Sequence, residues 1–128
     1  MRRLVLLMSL MFLAVPAAAQ DWRMSPEYDV LLTNNDIQPK LLRLKAGEPV
    51  RLHFVNNSNQ TLSFAAREFF GSAQIRGRDR DWIRGGVLTL RPLSDRTIAL
   101  VPRSGRYGTR SRNFIQRLLG MSGSIVVE

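Results

Sequence analysis

Val50-Arg51-Leu52-His53-Phe54-Val55 alternates apolar and polar residues. Val50, Leu52 and Phe54 fall on one face, Arg51 and His53 on the other, and a period of two marks a strand with one buried face. Turn formers bracket it: Ala46-Gly47-Glu48-Pro49 before, Asn56-Asn57-Ser58-Asn59 after. The rhythm extends in both directions. Upstream, Tyr28–Thr33 and Leu41–Leu44 read as strands separated by Asn34-Asn35-Asp36. Downstream, Thr61–Phe64, Val87–Arg91, Thr97–Val101, a strand carrying Tyr107 and entered from Gly105, and Ser124–Glu128 follow. Roughly seven to eight short strands, with a turn signal about every ten residues, predict an all-β sandwich. Helices enter as short inserts. Ala65–Phe70 is one, and a helical turn there can bury both Phe69 and Phe70. Asn113–Leu119 is another, stopped by Gly120. The charged run 76–84 reads as an exposed loop.

The first nineteen residues read as an export signal. Arg2 and Arg3 supply a positive start, Leu4–Val15 is uncharged and apolar, and Pro16 breaks the run. Ala17-Ala18-Ala19 then offers a small–x–small cleavage site. The apolar run is shorter than the roughly 20 residues of a spanning helix. The expected organisation is a signal peptide at 1–19 and one domain at 20–128, exported to a periplasm, with no transmembrane span after cleavage. Removal of Arg2 and Arg3 takes the formal charge from +9 to +7.

Composition excludes much chemistry. The chain has no cysteine, so disulfides, thiolate nucleophiles, zinc–thiolate sites and iron–sulfur clusters are out. A single histidine, His53, cannot build a histidine cluster. Ser63 and Ser111 stand in no nucleophile-elbow context, and Asp79 and Asp81 are flanked by arginines, which make poor surroundings for a general acid. No enzyme is expected. No nucleic-acid-binding motif accompanies the basic charge, and an exported chain is not expected to meet nucleic acid.

The C-terminal third carries a pattern. Gly105-Arg106-Tyr107, then Phe114, then Gly120-Met121-Ser122-Gly123-Ser124-Ile125-Val126-Val127 resembles the closing motif of cupredoxins, roughly G-x-Y-x-x-x-C-x-x-x-x-H-x-x-x-x-M followed by G-x-I-x-V. Lys45-Ala46-Gly47-Glu48-Pro49-Val50, Phe54-Val55-Asn56, Phe64 and Glu68-Phe69-Phe70 are similar to periplasmic cupredoxin-like domains of the iron-uptake-associated type. The resemblance implies a Greek-key β-sandwich. It also implies a type-1 copper site, and there the chain departs from the family. The cysteine position falls on Ser111, the second histidine position on Gln116 and the methionine position on Met121. The first histidine position falls near Leu62, or on Ser63 with a one-residue slip. Only Met121 matches, and it is expected to pack in the core. Trigonal His₂Cys ligation cannot form from Ser and Gln.

No cofactor is therefore expected. The alternative is copper, held weakly by His53 with Met24, Met121 and carboxylates, in a copper or iron carrier or an electron-transfer protein. His53, two residues from Arg51 on the polar face, reads as a surface residue. The other candidates are Arg103, Arg106, Arg110, Arg112 and Arg117, expected to meet at the former copper end of the sandwich. There they would bind an acidic protein or an anionic surface. The expected function is that of an exported cupredoxin-like binding module without its copper site.

Overall fold

The computed structural model describes residues 22–110 and 122–128. The expected signal peptide, the helical pattern at Asn113–Leu119, and Ser111, Arg112, Gln116, Arg117 and Met121 lie outside the described residues. Eleven strands are present among the described residues. Eight of them have four to seven residues: β1 (Glu27–Leu32), β3 (Leu41–Leu44), β4 (Val50–Asn56), β5 (Leu62–Ala65), β8 (Val87–Leu90), β9 (Asp95–Val101), β10 (Gly105–Arg110) and β11 (Ser122–Val127). Three are two-residue pieces: β2 (Ile37–Gln38), β6 (Gln74–Ile75) and β7 (Ile83–Arg84). The expected sandwich is there, with the long strands close to where the alternation put them.

The strands form two sheets. The first runs β2-β1-β4-β9-β6 and the second β3-β11-β10-β5-β8-β7. Two pairings are parallel, β1 with β4 and β11 with β3; the others are antiparallel. The chain crosses repeatedly between sheets, so each sheet closes with strands distant in sequence.

The core lies between the two sheets. In β4, Val50, Leu52, Phe54 and Asn56 are buried and alternate with half-buried residues. Helix α1 (Arg67–Ser72) buries both Phe69 and Phe70. Phe54, Phe64, Phe69 and Phe70 make a chain of tilted and edge-on contacts with centroids 4.9–6.3 Å apart, each worth about 0.5–1.5 kcal/mol beyond area burial.

Asn56 is the polar exception in the core. Its amide lies 2.8–3.1 Å from the carbonyl oxygens of Gln60, Leu90 and Arg91. Ser58 Oγ donates to its Oδ1 at 2.7 Å. The turn cluster after β4 is thereby stitched to the end of β8. The closing motif also has a physical reason. Tyr107 folds back over Gly105, where φ is +154° and a Cβ would lie 2.9 Å from the phenol oxygen. Its hydroxyl donates to the Arg103 carbonyl at 2.9 Å.

The run 76–84 is not the exposed loop expected. Gly77–Trp82 forms a 3-10 helix with Asp79 buried. The cause is the edge of the first sheet. Strand β6 pairs with only Leu100 and Val101 of β9, so the next amide, Ala99, needs another acceptor. Asp79 Oδ2 supplies it at 2.9 Å and takes the Arg76 Nε–H at 2.8 Å. Arg76 and Asp79, which read as solvated in sequence, satisfy each other and the Ala99 amide, while Arg78, Arg80, Asp81 and Arg84 stay exposed. Among the described residues no helix is long and apolar enough to cross a membrane.

Candidate functional site

The end of the sandwich where the resemblance places copper is apolar at its one described ligand position. Leu62 begins β5, pairs with Leu90 and is 1% exposed. Its neighbour Ser63 is half-buried on the opposite face, with its hydroxyl 3.4 Å from Thr89 Oγ1. Arg110 ends β10 opposite Ala65. The two strands are antiparallel, so Leu62 lies beyond the end of β10. At the position assigned by spacing, a leucine side chain fills core volume.

Three of the five candidate arginines fall on or beside β10 among the described residues. Arg103 precedes β10 and Arg106 is its second residue, both exposed. Arg110 closes the same strand, about 13 Å from Arg106 at strand rise. Arg112 and Arg117 lie outside the described residues. A different group of arginines is brought together by the 3-10 helix. Arg96 stacks 3.5 Å over the Trp82 ring, and its Nε is buried without a hydrogen-bond partner. With Arg76 and Arg78 these residues line a surface depression of about 340 Å³.

The densest chemistry lies elsewhere, on the outer face of the first sheet. The parallel pairing of β1 and β4 sets Asp29 beside His53 and Glu27 beside Arg51. The antiparallel pairing of β4 and β9 sets His53 opposite Thr97, which leaves Asp95 diagonal to it. His53 Nδ1 lies 3.0 Å from Asp29 Oδ1, and Nε2 lies 2.7 Å from Asp95 Oδ2. His53 is thus on the polar face as expected, yet its side chain is only 26% exposed, and carboxylates engage both ring nitrogens.

The hydrogen bond to Asp95 raises the His53 pKa above its ordinary 6.5; partial desolvation works against this, and Asp29 adds to the rise. The bond to His53 holds Asp95 below the ordinary 3.8. Donor atoms of Glu27, Asp29 and His53 all lie within 4.8 Å of one another. Met24, the other described member of the weak-ligand set, is 82% exposed on the 3-10 turn Trp22–Met24 before β1.

Sequence reading missed Glu27, Asp29 and Asp95. The only local signal was that Glu27 and Asp29 alternate with Tyr28 and Val30. Asp29 and Asp95 lie 24 and 42 residues from His53, and only the strand pairing joins them.

No family model matches the chain, and no curated protein matches it. Solved structures do. An auracyanin from Roseiflexus castenholzii is 16% identical with a TM-score of 0.57, covering 81% of this chain and 97% of its own. Auracyanin A, a blue copper protein from Chloroflexus aurantiacus, is 14% identical with a TM-score of 0.55, covering 81% and 100%. A multicopper oxidase from Campylobacter jejuni is 11% identical with a TM-score of 0.61; the match covers 80% of this chain but 30% of the oxidase. At these identities the likeness is one of fold: the chain is a cupredoxin-like β-sandwich.

Proposed function

We propose that this chain is an exported, periplasmic cupredoxin-like binding module that has lost the type-1 copper site and carries out no catalysis. One observation carries the reading: a cupredoxin-like fold in a chain without cysteine, the ligand whose sulfur defines blue copper centres. Leu62, sealed into the core at the first histidine position, supports it. The partner class that suits the basic charge is an acidic protein or an anionic surface, met by arginines such as Arg103 and Arg106.

The test is spectroscopic and then ionic. Cu(II) added to the purified chain should give no blue colour, and an intense blue centre would overturn the reading. Capture of a periplasmic partner should weaken steeply as salt rises, because exposed charges are screened over about 8 Å at physiological ionic strength. Capture that is indifferent to salt would remove the arginines from the interface.

The rival reading, a metal carrier using a nonstandard site, is favoured by one feature, the donors gathered around His53.

A further inference from the structure

The outer face of the first sheet holds a group of donors that the binding-module reading does not use. We propose that Glu27, Asp29 and His53 form a site for a divalent first-row transition-metal ion, with Asp95 positioning the imidazole from its far side.

Three observations converge. First, the donor atoms are close enough to share one ion: they lie within 4.8 Å of one another. Zinc bonds of about 2.0–2.2 Å to nitrogen and oxygen would gather them with small side-chain rotations. Second, the ring is oriented for ligation. Nδ1 faces Asp29, while Nε2 faces Asp95 at 2.7 Å. Asp95 accepting the Nε2–H would fix the tautomer that leaves the Nδ1 lone pair toward Asp29, on the strand that also carries Glu27. A carboxylate on the distal nitrogen is the usual support of a metal-bound histidine.

Third, Glu27 has no other engagement among the described residues. Its register neighbour Arg51 is the natural ion-pair partner, but the Arg51 guanidinium donates twice to the Ser25 carbonyl, at 3.2 and 3.1 Å. Asp29 alone would satisfy Nδ1 as a hydrogen-bond acceptor. A second carboxylate on the same side has no role in that bond and a clear one around a cation.

One nitrogen and two carboxylates suit Zn²⁺, Co²⁺ or Cu²⁺ better than Ca²⁺ or Mg²⁺, which prefer oxygen alone. On binding, the ion takes the place of the Nδ1 proton, which passes to solvent. The three protein donors leave coordination positions open on the exposed side, for water or for a donor from a partner. No sulfur is involved, so Cu²⁺ bound here would not produce a blue centre. The site is therefore independent of the lost type-1 position.

The experiment is a titration of the full chain, stripped with chelator, with Zn²⁺ by calorimetry and with Co²⁺ by visible absorption. One equivalent should bind. Nitrogen-15 spectra of the ring should show metal on Nδ1 and a retained proton on Nε2. His53→Gln should abolish the saturable site. Glu27→Gln and Asp29→Asn should each weaken it at least tenfold. Asp95→Ala should weaken it about 10–100-fold while metal stays on Nδ1. All four positions are on the sheet's outer face, and thermal melts would verify that each variant is folded. The proposal falls if no saturable equivalent binds, if metal sits on Nε2, or if Glu27→Gln and Asp29→Asn bind as the parent does.

Discussion

Two places on this molecule concern metal chemistry, and they differ in how residues reach them. At the sandwich end marked by Leu62, sequence spacing points to ligand positions, and the described one holds an apolar side chain 1% exposed. On the outer face of the first sheet no motif points anywhere, yet His53 stands between Asp29 and Asp95, with Glu27 beside them. A family pattern locates where a resemblance would put a site. Strand register locates where donors now meet. The two kinds of information are independent, and a chain can keep a fold while its polar chemistry gathers on a different surface.

The sharpest way to break this contrast is to truncate both places. Leu62→Ala should destabilise the chain by about 2–5 kcal/mol, as expected for a buried leucine, measured by urea unfolding. His53→Gln should cost no more than about 1 kcal/mol, since exposed pairs contribute roughly 0.2–1 kcal/mol. A Leu62 effect below that of His53 would mean that the sandwich end at Leu62 is not packed core. Next in size is Asn56→Ala, which removes the amide shared by the Gln60, Leu90 and Arg91 carbonyls. Leaving buried groups unmatched costs about 1–3 kcal/mol, read from the same unfolding curves.

Asp79→Ala against Asp81→Ala separates a buried carboxylate from an exposed neighbour. The first should cost about 1–3 kcal/mol, the second within about 0.5 kcal/mol. Equal costs would return residues 76–84 to a solvated loop.

The smallest effect is a pH difference. The His53 pKa is raised in the folded chain above 6.5, so its stabilisation is complete below 6.5 and fades as pH rises through the folded value. The Asp95 pKa is lowered below 3.8, so its share is present above 3.8 and fades as pH falls through the folded value. In metal-free protein, the stability gap between the parent and His53→Gln should be widest between these limits and narrow at pH 9. A gap that widens with pH would show that His53 is not held as an imidazolium between carboxylates.

Local pattern carried most of the fold. Period-two alternation placed β4 and the inward residues Val50, Leu52 and Phe54, and a short helical turn that can bury both Phe69 and Phe70 was legible in the segment Ala65–Phe70. What local pattern could not carry was partnership across the sheet. The parallel contacts of β1 with β4 and of β3 with β11 leave no mark within either segment. Burial of Asp79 depends on an amide of β9 that β6 leaves open, so a charge run looked solvated. His53 was placed on the correct face, but its neighbours come from strands whose register is a property of the whole sandwich.

The carboxylate of Asp79 has a consequence for self-association. Beyond its two-residue partner, strand β9 would present a bare row of backbone groups, the kind of border onto which another chain can add a strand and seed aggregates. The 3-10 segment lies across that border, and a charged side chain occupies the Ala99 amide that an incoming strand would have to use. Opening this segment would unmask the amide and the apolar strand behind it together. A buried carboxylate, already paired with Arg76, thereby closes one docking point on the border of the first sheet.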